Sequence, residues 1–359
     1  MFVEPDRSLE LSKKVLASEP TGRLLWYTIP WYLTEPAAEA GYDDPMDFMM
    51  RELGALSFEN LVGPFELAND SVEIVDTPDG VDTIREYRSP WGTLRAVMRG
   101  GRFVRHPVTD ADALRTLIEM WKRIEVRVHS ERFAQMVQRI NGRGPVGISI
   151  PTSSLQQMVQ HELGVADLWY AMADTPELVE EAMEVYQAKL QTAYDALGLF
   201  DADWYYQGEN TSTTAISPDY YRKYSLGHIR QYTQAVRALD NGKPAVVHMC
   251  GLLHDLMPIF PETRLDGIDC LTPPPVGDCD FQYAYEVMPE GFFCTGRLNS
   301  TLWVGKRRDE ILANLRSILP HSIYRDKPFV MIVTTDTVPN ISVDNWRLLA
   351  DCINAYEQV

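Results

Sequence analysis

Lys243-Pro244-Ala245-Val246-Val247-His248-Met249-Cys250-Gly251 is the stretch on which the reading of this chain turns. A short apolar run of β type leaves a proline and ends in a histidine and a cysteine two residues apart. Residues i and i+2 of a strand point to the same side, so the imidazole of His248 and the thiol of Cys250 can meet at one point. Just upstream, Ser217-Pro218 opens a helical pattern to residue 239, with serine at the cap and proline at the first position. The unit is helix, strand, polar strand end, and it recurs in both directions.

Downstream, residues 267–271, 291–295 and 329–334 read as strands, and 253–259, 308–319 and 343–356 as helices. Upstream, strands are expected at 24–29, 146–150 and 203–207. Helices are expected at 8–17, 44–53, 110–127, 130–140, 155–163 and 175–197. Some seven or eight strands, each followed by a helix, define an α/β chain, and the expected fold is a (β/α)8 TIM barrel. A doubly wound open sheet is the alternative, but no Gly-x-Gly-x-x-Gly turn follows any strand. Residues 71–99 have another texture, short alternating runs broken by Pro78-Asp79-Gly80 and Ser89-Pro90-Trp91-Gly92. They predict a small antiparallel β-meander inserted in one barrel domain that spans 1–359. Gly100-Gly101 reads as a simple turn between two basic residues.

The chain has 359 residues and a formal net charge of −18, with 45% hydrophobic residues. That content suffices for a large core, while the negative field argues against nucleic acid as a partner. No run of about 18 apolar residues occurs, so no membrane span is expected. The start, Met1-Phe2-Val3-Glu4-Pro5-Asp6, does not read as a signal peptide. Five cysteines, an odd number, argue against a disulfide framework and for a cytoplasmic location with reduced thiols.

In a barrel of this kind the chemistry gathers where strands end. Gln207, Glu209 and Asn210 follow the strand that contains Tyr206; His248 and Cys250 end the next; Arg297, Asn299, Thr335 and Asp336 follow later ones. Glu209 is a candidate acid or base, or else a carboxylate that accepts hydrogen bonds from loop amides. Arg297 could grip a substrate carboxylate or pair with a neighbouring acid. Gln207, Asn210, Tyr206 and the aromatic cluster around Trp31 are candidate substrate-binding groups. Cys270 and Cys294 read as small buried hydrophobes, and His161 and His254 as helix-surface or packing residues. Nitrogen and sulfur together suit zinc, and catalytic zinc usually keeps three protein ligands and one open position.

The chain resembles the uroporphyrinogen decarboxylase superfamily, and within it the corrinoid-linked zinc methyltransferases. The resemblance rests on 216–221 with 243–251, on Gly267-Ile268-Asp269-Cys270-Leu271 with Cys294-Thr295-Gly296-Arg297-Leu298-Asn299, and on Ser89-Pro90-Trp91-Gly92-Thr93-Leu94 in the meander. It implies a barrel and a zinc ion held by the His and Cys of His-x-Cys and by a second cysteine after the last strand. Here that place reads Thr334-Thr335-Asp336-Thr337-Val338-Pro339, so Asp336 takes the third position, with Thr335, Cys270 or Cys294 as alternatives. An aspartate oxygen completes a zinc site chemically, although it makes a harder Lewis centre than two thiolates do.

The resemblance therefore implies a zinc-dependent methyltransferase that moves a methyl group between a small substrate and a corrinoid. No Asp-x-His-x-x-Gly segment occurs, so the cobalamin is expected on a partner protein. His248, Cys250 and Asp336 would hold zinc, Glu209 would act as acid or base, and Arg297 would anchor substrate. The alternative is a metal-free decarboxylase or lyase on the same barrel. Residues 28–35 lack the arginines that grip a porphyrinogen in true decarboxylases and carry Glu35 instead. A third reading is a non-catalytic binding partner. A homodimer is left open, as is the identity of the methyl donor and acceptor.

Overall fold

The structure, a computed structural model, describes residues 3–356, so Met1 and Phe2 of the N-terminal reading lie outside the described residues. Eight parallel strands form one curled sheet: β1 (Trp26–Thr28), β2 (Asn60–Val62), β3 (Val146–Ile150), β4 (Trp204–Gly208), β5 (Ala245–His248), β6 (Gly267–Leu271), β7 (Phe293–Asn299) and β8 (Phe329–Thr334). Each from β2 to β8 pairs with the next in sequence, and β8 pairs with β1. Between β1 and β2 the ladder is open, but the Leu56 amide donates to the Trp26 carbonyl at 2.8 Å and draws the edges together. This is the (β/α)8 barrel expected from the alternation.

Strands covered on both faces read as unbroken apolar runs, and all six residues of β8 are buried. The barrel interior holds Tyr27, Phe58, Trp204, Tyr206, Val246, Phe293 and Ile332. Trp204 lies across Gly147, where an added Cβ would stand 2.4 Å from the indole nitrogen, so β3 must have glycine there. The N-terminal helix Pro5–Leu16 packs Leu11, Val15 and Leu16 into the same interior cluster. It plugs the N-terminal end of the barrel. Side chains at the opposite strand ends therefore face the one open mouth.

The inserted meander is larger than expected. Its strands are Glu73–Asp79, Asp82–Ser89, Gly92–Arg99 and a fourth, Arg102–Arg105, so Gly100-Gly101 is a hairpin turn within it. Both glycines take positive φ, as a two-residue hairpin requires. Leu94 and Ala96 seat the sheet on helix Ala111–Lys122, which ends before Arg127 because Glu125–Val128 pairs with Phe65–Ala68.

Other boundaries moved for local reasons. Strand β2 was not expected at all: Asn60-Leu61-Val62 is only three residues long, with neither an alternating pattern nor an apolar run to mark it as a strand. The segment after β3 breaks into Ser154–Gln157, a π-turn at Met158–Glu162 and helix Gly164–Asp174. Residues 253–259 give a 3-10 helix at Met257–Thr263 instead, since Pro258 and Pro261 interrupt the α ladder. Phe281–Val287 and His321–Asp326 are short helices between strands that the periodicity did not reveal. All five cysteines are free, and among the described residues no helix is long and apolar enough to cross a membrane.

Candidate functional site at the barrel mouth

Strand β5 ends at His248, whose register partner on β6 is Asp269. The imidazole Nδ1 lies 2.6 Å from Asp269 Oδ2, and Asp269 is wholly buried while His248 keeps some exposure. Three hydroxyls complete the carboxylate. Tyr27 donates to Oδ1 at 3.0 Å, Tyr206 to Oδ2 at 3.3 Å, and Thr295 makes a short bond to Oδ1. Four donors on two oxygens match the acceptor capacity of an ionised carboxylate.

A bulge in β6 follows directly. The pairing with β7 shifts register between Ile268 and Leu271, and Cys270 adopts φ +68 within the strand. In a regular strand neighbours point to opposite faces; Asp269 points inward with its partner His248, and the bulge turns Cys270 inward as well. The Cys270 amide donates to Thr295 Oγ1 at 2.7 Å, which frees the threonine hydrogen for Asp269. Left-handed backbone at a non-glycine residue is a cost found mainly where function fixes the geometry.

The electrostatics follow. Burial opposes charge on His248, but the hydrogen bond to Asp269 and the neighbouring Cys250 overcome it and push the imidazole up to about 10. Burial likewise works against an ionised Cys250, yet His248, and Arg297 nearby, hold the thiol below its ordinary range. Asp269 is buried, and its bonds to His248, Thr295 and Tyr27 keep it below the usual carboxylate range. The mouth therefore holds a thiol whose ionisation is eased, beside an imidazole whose proton is held by a buried carboxylate. Asn210, in left-handed backbone after β4, brings Oδ1 to 3.9 Å from Cys250 Sγ.

On the far side, Arg297 of β7 donates Nε to Thr334 Oγ1 at 3.0 Å and forms a short bond to Asp336. Tyr32 donates to the other oxygen of Asp336 at 2.5 Å. Both carboxylate oxygens of Asp336 are thus occupied. Among the described residues no three His, Cys, Asp or Glu side chains stand together in a metal-holding group. His248, with its second nitrogen bonded to a carboxylate, and Cys250 beside it offer zinc two donors and the usual outer-shell support.

A family model described as Uroporphyrinogen decarboxylase (URO-D) matches residues 92–356, well over half of the chain. The chain belongs to the uroporphyrinogen decarboxylase family. Among solved structures it is similar to a methyltransferase from Methanosarcina mazei, with TM-score 0.58 and 14% identity, covering 99% of this chain and 100% of that one. At that identity the likeness speaks for the fold. The pneumococcal exo-beta-D-N-acetylglucosaminidase StrH has TM-score 0.35 and 12% identity over 73% of this chain and 71% of that one, too low to carry an argument. No curated protein sequence matches.

Within this family member the remaining candidates divide. Tyr206 belongs to the Asp269 cluster, while Trp31 stands 70% exposed on the turn after β1, edge-on to Tyr32 at 5.8 Å. Glu209 is buried, and both oxygens accept from Ser153, the backbone amide at 2.9 Å and the hydroxyl at 2.8 Å. It ties the loop after β3 to β4, the second of the two roles considered for it, and burial pushes it up to about 7. Gln207 is buried too, donating to the Pro151 carbonyl at 2.8 Å. The residues that the sequence did not single out are Asp269, Thr295 and Glu59, while Tyr27 belonged to the aromatic cluster at the end of the first strand. Asp269 lay in a quoted strand, and its register with His248 across the β5–β6 ladder is what brings the two together.

Proposed function

We propose that this chain is a methyltransferase that moves a methyl group between a small substrate and a corrinoid carried by a partner protein. The observation that supports the reading is the His248–Cys250 pair at the barrel mouth with Asp269 behind it. A zinc ion would be held by His248 and Cys250, with Asp336 as third ligand once Arg297 and Tyr32 release it. When bound, zinc supplies a Lewis acid that favours the anionic form of a substrate's donor atom. Asp269 fixes the ring orientation of His248, the net negative chain favours no polyanionic substrate, and Asn210 borders the thiol. Trp31 and Tyr32 form an aromatic lip where a substrate enters, and Arg297 orients an acidic group on it.

The decarboxylase alternative gains no support from this geometry. Residues 28–35, at the end of β1 beside the mouth, carry no arginine to grip a polycarboxylate.

The test is metal analysis of purified protein beside His248→Ala, Cys250→Ser and Asp336→Ala, followed by methylcobalamin turnover with small thiols and amines. About one zinc per chain, lost in the first two variants and weakened in the third, supports the reading. Retention of zinc in both His248→Ala and Cys250→Ser would overturn the ligand assignment. Absence of cobalamin absorbance change with every acceptor would overturn the corrinoid role.

A further inference from the structure

Glu59, just before β2, has no place in the reaction described so far. Its Oε2 lies 3.1 Å from the Tyr27 hydroxyl, which also lies 3.0 Å from Asp269 Oδ1. A phenol has one hydrogen and cannot donate it to two carboxylates at once. The surroundings decide where it goes. Thr295 uses its acceptor lone pair for the Cys270 amide and so donates to Asp269. His248 and Tyr206 occupy the other oxygen of Asp269. Tyr27 can donate to either carboxylate, and Asp269, wholly buried and held ionised against His248, has the stronger claim on its single hydrogen. The contact between Tyr27 and Glu59 then lacks a hydrogen unless Glu59 supplies it.

We propose that Glu59 stands in the resting protein as a neutral carboxylic acid that donates to Tyr27 and serves as the proton store of the barrel mouth. Its second oxygen, Oε1, has no hydrogen-bond partner and is not among the buried atoms, so it meets accessible space. A half-turn of the carboxyl exchanges the two oxygens. In the transfer step the O–H bond of Glu59 breaks, the proton passes to a basic nitrogen, oxygen or sulfur of a bound small molecule, and the electron pair remains on the carboxylate. Solvent reaching Oε1 returns the proton. Ionised Glu59 would leave Tyr27 with one hydrogen between two anions, and that penalty drives the reloading.

The groups that face Glu59 are Tyr27 on β1, Tyr206 on β4, His248 on β5, and Asp269 and Cys270 on β6. Burial and the Asp269 charge push Glu59 up to about 8, against the pull of the His248 imidazolium and of the Tyr27 hydroxyl. The same direction thus follows from hydrogen-bond counting and from electrostatics.

Infrared difference spectroscopy between the wild type and Glu59→Gln tests it without any activity. Glutamine keeps an N–H for Tyr27, so the fold is retained. Glu162 and Glu209, also raised, are common to both proteins and cancel. At pH 7 the difference spectrum should show one carboxylic-acid carbonyl band, replaced by carboxylate bands as the pH passes about 8. Carboxylate bands alone at pH 7 would overturn the proposal. Tyr27→Phe, which keeps Glu59, should shift that carbonyl band to higher frequency; an unshifted band would remove Tyr27 from the chain of bonds.

Discussion

His248 Nδ1 and Asp269 Oδ2 are 2.6 Å apart across two neighbouring strands in which the two residues are register partners. A charge-assisted bond at this distance, with one partner wholly buried, is among the stronger polar interactions a protein makes. Breaking such a pair from one side leaves a buried charge without its counterion.

Asp269→Asn should therefore lower stability at pH 7 by about 3 kcal/mol, the low end for a broken buried pair, because His248 can shed its proton. The sign with pH follows from the two shifts. Raised His248 adds stability in full below its unfolded value, and that stability is lost as the pH rises through about 10. Lowered Asp269 adds stability above the ordinary carboxylate range, lost as the pH falls through its depressed value. Urea denaturation should show the gap between wild type and variant widest between these limits and narrowing toward pH 10. Equal midpoints at pH 7 would contradict the pairing.

Cys250 should be the reactive thiol of the chain. Burial, with acidic neighbours for some of them, pushes Cys270, Cys279, Cys294 and Cys352 above the ordinary range, whereas His248 holds Cys250 below it. In chelator-treated protein at pH 7, iodoacetamide should label about one cysteine per chain, mapped by mass spectrometry to Cys250. His248→Ala should slow that labelling roughly 10-fold by restoring an ordinary thiol. Labelling that is indifferent to His248 would show that the imidazolium does not govern the thiolate.

Glu209 makes a sharper test of structure against chemistry. Its carboxyl is raised from 4.5 to about 7, so the folded state loses stability as the pH rises from 4.5 to 7, by about 3 kcal/mol. Glu209→Gln removes the charge and should equal or exceed the wild type in stability at pH 8, with a flatter pH dependence. Glu209→Ala leaves the Ser153 amide without an acceptor and should cost about 1–3 kcal/mol. A Glu209→Gln protein that unfolds more readily at pH 8 would contradict the burial argument.

Thr295→Val removes a single hydroxyl that accepts from Cys270 and donates to Asp269. The buried Cys270 amide then has no acceptor, at a cost of about 1–3 kcal/mol. Because Thr295 also braces Asp269, zinc affinity should fall roughly 10-fold, as removal of outer-shell partners commonly does. Calorimetric titration of the variant with zinc separates the two effects. Unchanged stability would mean that the bulge does not depend on the threonine.

Much of this molecule is determined by local sequence. Apolar runs at Ala245-Val246-Val247 and across β8 can only be strands covered on both sides, and Ser217-Pro218 starts a helix by cap and fixed φ. Alternation of the two dictates a barrel, and period-two geometry alone places His248 and Cys250 on one side of their strand end. Other features depend on what lies across the barrel. Glu59 sits before a three-residue strand that has no signature of its own, and it matters only because Tyr27 stands between it and Asp269. Asp269 faces inward as the register partner of His248, and the slip of the ladder with β7 at Cys270 turns that thiol inward beside it. Asp336 matched the third-ligand position in sequence, yet Arg297 from β7 and Tyr32 from the turn after β1 reach it. Glu209 and Gln207, polar at a strand end, turned to Ser153 and Pro151 because buried polar atoms must find partners wherever packing puts them. Strand and helix are set by neighbours along the chain; which polar groups share a proton or a charge is set by register and closure, which no short stretch contains.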